Sequence, residues 1–458
     1  MKKIGLFLFV FLTSLSIYAQ DISGKWNGIL KAQGTQLRLV FNITKTDNGY
    51  SSTMDSPDQR AKGITVTTTS FDNSILKLEM SNEGIKYEGT LRDENSFVGT
   101  FKQGDQSFPL VLTIREVEKE KIVRPQEPTK PYPYYSEEVK FKNIEDKIEL
   151  AGTLTLPEKN GMFPAVILIS GSGPQNRDEE LLGHKPFLVL ADFLTKNGIA
   201  VLRYDDRGVE KSTGNFNSAT TFDFAKDVKY AIEYLQKRKD INKDKIGLIG
   251  HSEGGVIAPI IASENKDVDF IVLMAGPSLR GDKLLLLQKY KIETQIGVNK
   301  QLIENNQQIF TGAYEIILNK SIKNELISDT LSEYFTSKYG LALPEKQKTV
   351  LINQLSSPWM IEFIRLDPVV YLSKVNCPVL AINGSKDMQV PPKENLEIIE
   401  NVVKKSNNTK VKVKELEGLN HLFQECETGA PSEYSTTEQT ISPTALKEIL
   451  NWINIQIK

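Results

Sequence analysis

Between Arg124 and Pro133 the chain places four prolines in ten residues, Arg124-Pro125-Gln126-Glu127-Pro128-Thr129-Lys130-Pro131-Tyr132-Pro133. Proline lacks a main-chain N–H and fixes its own backbone angle, so such a run neither continues a helix nor joins the interior of a sheet. Residues 116–135 therefore read as a semi-rigid linker, and the chain must fold as separate bodies on either side of it. Its length of 458 residues agrees, being more than one hydrophobic core usually organises.

The two sides have different periodicities. From residue 20 to 115, segments such as Leu37-Arg38-Leu39-Val40-Phe41-Asn42-Ile43 alternate with period two and are broken by turns such as Asp47-Asn48-Gly49. That pattern predicts about eight sequentially connected strands, hence a small all-β barrel or sandwich. Gly24-Lys25-Trp26-Asn27-Gly28 resembles the G-x-W motif of lipocalin-like barrels, and Trp26 is read as a plug of the barrel interior. From residue 136 to 458, apolar runs at 165–169, 199–203, 245–249, 270–274, 379–382 and 411–416 alternate with longer amphipathic stretches. This is the signature of an α/β fold with a mostly parallel sheet covered by helices on both faces. An insertion of helical character, residues 281–373, separates the fourth and fifth runs and is expected to cap the strand ends where ligands bind.

Lys2 and Lys3 precede the apolar run Ile4–Leu15, and Ile17-Tyr18-Ala19 leads into polar Gln20-Asp21, which predicts a signal peptide over residues 1–19. The expected protein is exported, periplasmic or extracellular, with no membrane-spanning segment once the signal is removed. A formal charge of −2 and no basic run interleaved with aromatics exclude nucleic acid as an expected partner. Cys377 and Cys426 flank neighbouring strands at opposite ends, about 17 Å apart by strand rise, so two packed thiols are expected and not a disulfide.

The run Ile246-Gly247-Leu248-Ile249 enters Gly250-His251-Ser252-Glu253-Gly254 and leaves through Gly255-Val256-Ile257-Ala258. A strand turning this sharply into a helix needs small flanking residues and mounts Ser252 in strained backbone geometry. A serine hydroxyl becomes a nucleophile when a base with a pKa near neutral takes its proton. The chain has three histidines. His251, next to the serine, reads as structural with its side chain turned away from Ser252. His184 lies just before a helix begun by Pro186 and is expected to line the cleft. His421, directly after the last strand, is the candidate base. Asp387, on the loop after the penultimate strand, is the candidate carboxylate that orients it; Asp367, in Asp367-Pro368, reads as a turn or helix cap. An oxyanion formed at the acyl carbon needs two N–H donors, for which Glu253 and Ser172 are the candidates, with Gly173 as alternative.

Taken together, Gly171-Ser172-Gly173-Pro174-Gln175-Asn176-Arg177-Asp178, Arg203-Tyr204-Asp205-Asp206-Arg207-Gly208, the serine elbow, Gly384-Ser385-Lys386-Asp387 and Asn420-His421 resemble the secreted esterase and serine-aminopeptidase-like group of α/β-hydrolases. The resemblance covers residues 136–458. It implies an α/β-hydrolase fold with a helical cap insertion, and a serine hydrolase acting on small-molecule esters, or on short peptides, without cofactor or metal. Glu210 departs from the group's R-G-x-G-x-S pattern, which has glycine there. Two alternatives stay open. A peptidase would need carboxylates such as Glu253 or Glu362 to hold a substrate ammonium, though both are expected to solvate the surface. A binding module in residues 21–115 would make hydrolysis secondary.

Overall fold

The computed structural model describes residues 21–458 except 33–34, 60, 82–83, 94, 105, 120–123, 341–343 and 407. The expected signal peptide and the middle of the linker lie outside the described residues. The chain divides into two compact units at 121/122.

The first unit is an antiparallel sheet of nine strands, one more than the spacing of turns predicts. They are β1 (Gly24–Ala32), β2 (Thr35–Thr46), β3 (Gly49–Ser56), β4 (Ala61–Val66), β5 (Thr68–Asp72), β6 (Ile75–Met80), β7 (Ile85–Asp93), β8 (Ser96–Gln103) and β9 (Gln106–Thr113). Their order is β4-β3-β2-β1-β9-β8-β7-β6-β5. The edge strands β4 and β5 are consecutive in sequence and joined through Thr67, so the sheet curls into a nearly closed up-and-down barrel. Along β6 the alternation sends Leu76, Leu78 and Met80 inward, all fully buried, while Lys77 and Glu79 face out. Trp26 is buried, donates its indole N–H to the Ile22 carbonyl at 2.8 Å and meets Phe97 edge-on at 4.6 Å. With Phe41, Tyr87, Phe101 and Leu110 also inside, side chains fill the barrel, and Trp26 is a plug.

The second unit takes in the proline-rich run. Arg124 donates to the carbonyls of Leu182 (3.1 Å) and Ser435 (3.0 Å) and also to that of Thr437, and Gln126 donates to Ile441 O at 2.7 Å. These bonds fasten residues 124–126 to loops of the second unit.

The second unit is built on an eight-stranded sheet ordered β10-β11-β13-β12-β14-β15-β16-β17. Strands β12 (Phe163–Ile169), β13 (Ala200–Tyr204), β14 (Ile241–His251), β15 (Phe270–Met274), β16 (Val379–Gly384) and β17 (Val411–Leu416) are parallel and correspond to the six apolar runs. The antiparallel β10 (Tyr135–Asn143) and β11 (Ile148–Leu156) were not among the expected strands. Edge strand β10 alternates charged and apolar residues where the parallel strands run uninterrupted, so it lacks their signature. Helices α1 (Pro186–Lys196), α2 (Thr221–Gln236), α3 (Gly254–Ala262), α10 (Pro392–Lys405) and α11 (Pro443–Gln456) cover the faces. Between β15 and β16 the insertion forms α4 (Gly281–Gln295), α5 (Lys300–Leu318), α6 (Asn324–Tyr339), α7 (Glu345–Leu355), α8 (Pro358–Arg365) and α9 (Val369–Leu372), helical as expected. Both cysteines are free thiols. Among the described residues no helix is long and apolar enough to cross a membrane.

Candidate active site

Strand β14 lies at the centre of the sheet, between β12 and β15, and passes into α3 through the serine elbow. Ser252 has φ +51°, a conformation L side chains rarely adopt. The turn is held by Ser252 N–H to Met274 O at 2.9 Å and by Gly255 N–H to Ser252 O at 2.8 Å. A β-carbon at Gly250 would run into the carbonyl of Gly254, and one at Gly254 into that of Ile169. Both positions require glycine for close approach, and the strain at Ser252 is maintained by the packing around it.

His421 sits on a tight loop after β17. Buried Asn420 shapes that loop, its side-chain oxygen accepting the amides of Leu422 and Gln424, both at 3.0 Å. Nδ1 of His421 is 2.8 Å from Oδ2 of Asp387, and both residues are buried. The other oxygen of Asp387 accepts the amides of Gln389 at 2.8 Å and Val390 at 2.9 Å, so the carboxylate cannot rotate away from the imidazole without breaking two bonds. Ser252 and His421 line one cavity of about 90 Å³ with Gly171, Ser172, Gln175, Glu179, Leu181, Pro186, His251, Gln389 and Leu422.

The loop after β12 borders the same cavity and is tied down from several sides. The Gly171 amide donates to Oε1 of Glu179 at 2.7 Å. Asp206 accepts the Ser170 hydroxyl at 2.9 Å and the Gln175 amide at 3.0 Å, and Asp205 accepts the Arg177 amide and guanidinium at 2.7–3.0 Å. The amides of Ser172 and Glu253 make no hydrogen bond to the described protein, whereas that of Gly171 is spent on Glu179. Ser172 and Glu253 thus offer open donors beside the serine.

Two expectations are corrected. His184 does not line the cleft: it is buried, with Nε2 2.8 Å from Tyr434 O and Nδ1 3.0 Å from the Thr440 hydroxyl. Burial first, and the charge of Arg124 second, lower its pKa to about 4. His251, read as structural, is buried beside the site: it is among the residues lining the cavity, and its ring lies 4.9 Å from that of His421. Glu253 does not solvate a surface. Its side chain is buried and accepts the Thr221 hydroxyl at 2.6 Å and the indole N–H of Trp359, from cap helix α8, at 2.8 Å. Burial raises its pKa despite both donors. Glu362 is half-buried, and Asp367 caps α9 through the Val369 amide at 3.1 Å, as its turn context predicts.

Glu179, Asp206, Gln389 and Trp359 were not singled out from the sequence. Glu179 sits in the acidic string Asp178-Glu179-Glu180, which reads as surface. Glu210, the departure from the glycine pattern, has φ +46° and so adopts the left-handed conformation for which glycine is favoured. The loop keeps its shape, with Ser212 donating to Asp205 O at 2.7 Å and accepting the Ala151 amide at 2.9 Å.

Residues 185–427 match the family model described as serine aminopeptidase, S33. Esterase EstD of Thermotoga maritima is 26% identical over 428 residues, covering 91% of this chain and 95% of the relative. An acyl transferase of Shewanella woodyi is 34% identical over 137 residues, 30% of this chain and 42% of that protein. Among solved structures, an esterase of Pyrococcus furiosus aligns with TM-score 0.43 and 17% identity, over 70% of this chain and 93% of its own. The matched segment runs from α1 through the elbow, the cap, Asp387 and His421, and the chain is an α/β-hydrolase that belongs to the serine aminopeptidase S33 family.

Proposed function

We propose that the protein hydrolyses carboxylic esters through an acyl-enzyme on Ser252. The carrying observation is the His421–Asp387 contact of 2.8 Å, with His421 lining a cavity that also exposes a serine held at φ +51°. Asp387 fixes the tautomer that leaves Nε2 of His421 to take the Ser252 proton, and it stabilises the imidazolium formed on attack. The oxyanion is received by the amides of Ser172 and Glu253. His421 then returns the proton to the leaving alcohol, and water releases the acid by the same steps in reverse. The overall similarity to an esterase along 91% of the chain supports an ester as substrate.

What weighs against an aminopeptidase is the lining of the cavity. Its one carboxylate, Glu179, is taken by His251 and the Gly171 amide, and Glu253 is sealed behind Thr221 and Trp359. Neither is open to a substrate ammonium. The filled barrel likewise gives no support to an interior ligand site in the first unit. We further propose export, supported by the Lys2-Lys3 and Ile4–Leu15 pattern; an intracellular product retaining residues 1–19 would refute it.

The test is Ser252→Ala, assayed with p-nitrophenyl acetate and an aminoacyl anilide on one preparation. Ester turnover is expected to fall on the order of 10⁴-fold or more with the fold intact. Unchanged ester turnover sinks the assignment, and a wild-type preference for the anilide reverses the substrate class.

A further inference from the structure

The cavity holds a second imidazole–carboxylate contact that the mechanism above does not use. Nδ1 of His251 lies 2.9 Å from Oε1 of Glu179, and Nε2 lies 3.1 Å from the main-chain carbonyl oxygen of His421. Both neighbours are acceptors. A neutral imidazole has one N–H and one lone pair, so either tautomer would satisfy one oxygen and set its lone pair against the other. An imidazolium donates to both. His251 and Glu179 are 6% and 5% exposed, so bulk water does not relieve the mismatch. Moving the proton to the carboxylate would leave Oε1 both donating to the ring and accepting the Gly171 amide at 2.7 Å, a weaker arrangement than a carboxylate facing two donors.

We propose that His251 and Glu179 form a charged clasp that holds the His421 loop and the Gly171 loop in register with Ser252, which makes His251 a positioning residue for hydrolysis. The proposal rests on the assignment of Ser252 and His421 above. Three segments meet at this one buried charge: the end of β14, which carries His251 itself; the loop after β12, whose Gly171 amide shares Oε1 of Glu179; and the loop after β17, through the carbonyl of the base. A shift of either loop by an ångström would misplace the oxyanion donor or the imidazole, at a cost of about 10²-fold in rate.

The groups facing the ring are Glu179, the His421 imidazole and, at longer range, Asp387; Phe423 packs at 6.3 Å as an apolar edge. Burial is the largest influence and opposes the charge, but Glu179, the His421 carbonyl and Asp387 together outweigh it and raise the His251 pKa. A raised pKa means that the clasp is fully present below the ordinary value of 6.5 and is released as pH rises through the higher one. Hydrolysis should therefore weaken on the alkaline side.

With three histidines in the chain, imidazole ¹⁵N NMR of the full-length wild-type protein reads the proton directly. At pH 7 the His251 ring is expected to be doubly protonated, and that signal disappears in His251→Gln. A neutral His251 ring at pH 7 overturns the proposal, whatever the substrate. In kinetics, Glu179→Gln is expected to move the alkaline limb of kcat/KM to lower pH and cut kcat about 10- to 100-fold, with KM little changed. His251→Gln, which keeps an amide donor for the His421 carbonyl, is expected to flatten that limb. A limb unmoved in both variants overturns the clasp. Fluorophosphonate labelling of Ser252 separates the two failures: an unlabelled serine rejects the hydrolase reading, whereas a labelled one with an unmoved limb rejects the clasp alone.

Discussion

The interior of the nine-stranded unit is lined by Trp26, Phe41, Leu76, Leu78, Met80, Tyr87, Phe97 and Phe101, and its buried polar residues among those described are Asn27, Ser52 and Ser56, none of them charged. The second unit buries Glu179, Arg203, Asp205, Asp206, Arg207, Asp227, His251, Glu253, Asp387 and His421. Most of these lie on the loops that leave the carboxyl ends of the parallel strands. An unpaired buried charge costs several kcal/mol, and the second unit avoids that cost by giving each charge named in its site an opposite charge or hydrogen-bond donors, as Asp387 has His421 and two amides. The barrel needs no such arrangement because nothing in its core has to move a proton. The difference teaches that buried charge in this chain is concentrated in the unit that carries the candidate chemistry.

The contrast breaks most readily at Trp26. Trp26→Ala should lower the stability of the barrel by about 3–5 kcal/mol, since a large apolar side chain leaves a void that its neighbours fill poorly. Ester kcat/KM should stay within twofold of wild type; a parallel loss of activity, measured beside a thermal melt, would mean that the two units do not act separately.

A smaller effect sharpens the comparison through pH. The folded pKa of His184 is lowered to about 4 from 6.5, so the unfolded chain takes up a proton that the folded chain resists. The contribution of His184 to stability is therefore complete above pH 6.5, declines as pH falls and levels off below about 4. Asp206 and Glu253, both raised by burial, act in the opposite sense, so the difference between wild type and His184→Gln isolates the histidine. That difference should shrink between pH 7 and 4 in the melt of the second unit. In the barrel, Asp55 and Asp58 are both lowered, by the Gly63 amide and by Arg38 respectively, so their contribution to stability is complete above the ordinary 3.8 and is lost only below it. A barrel transition that follows His184 would erase the distinction.

The smallest expected effect is at Glu210. Glu210→Gly should stabilise the second unit by about 1 kcal/mol or less, since a left-handed residue with a β-carbon costs roughly 1–2 kcal/mol and glycine returns part of that as chain entropy. Destabilisation in a chemical melt would mean that the side chain does something its backbone angle does not reveal.

The sequence by itself determined the barrel's alternation, the six parallel strands and the helical insertion, because each is a local periodicity; the division between the units falls at 121/122, ahead of the proline run. It also determined the elbow, where glycine is needed on both sides of Ser252, and it marked Ser252, Asp387 and His421 as candidates, which lie after β14, β16 and β17. The tertiary structure decided what those residues touch. Glu179 meets His251 across 72 residues, and Trp359 reaches Glu253 across 106. No local pattern encodes such pairs: a carboxylate in an acidic string reads as solvated until a loop folds it onto an imidazole. The same holds for His184 and His251, a candidate cleft residue and a presumed bystander by position. Burial against Tyr434 makes the first structural, and two facing acceptors make the second a charge beside the serine.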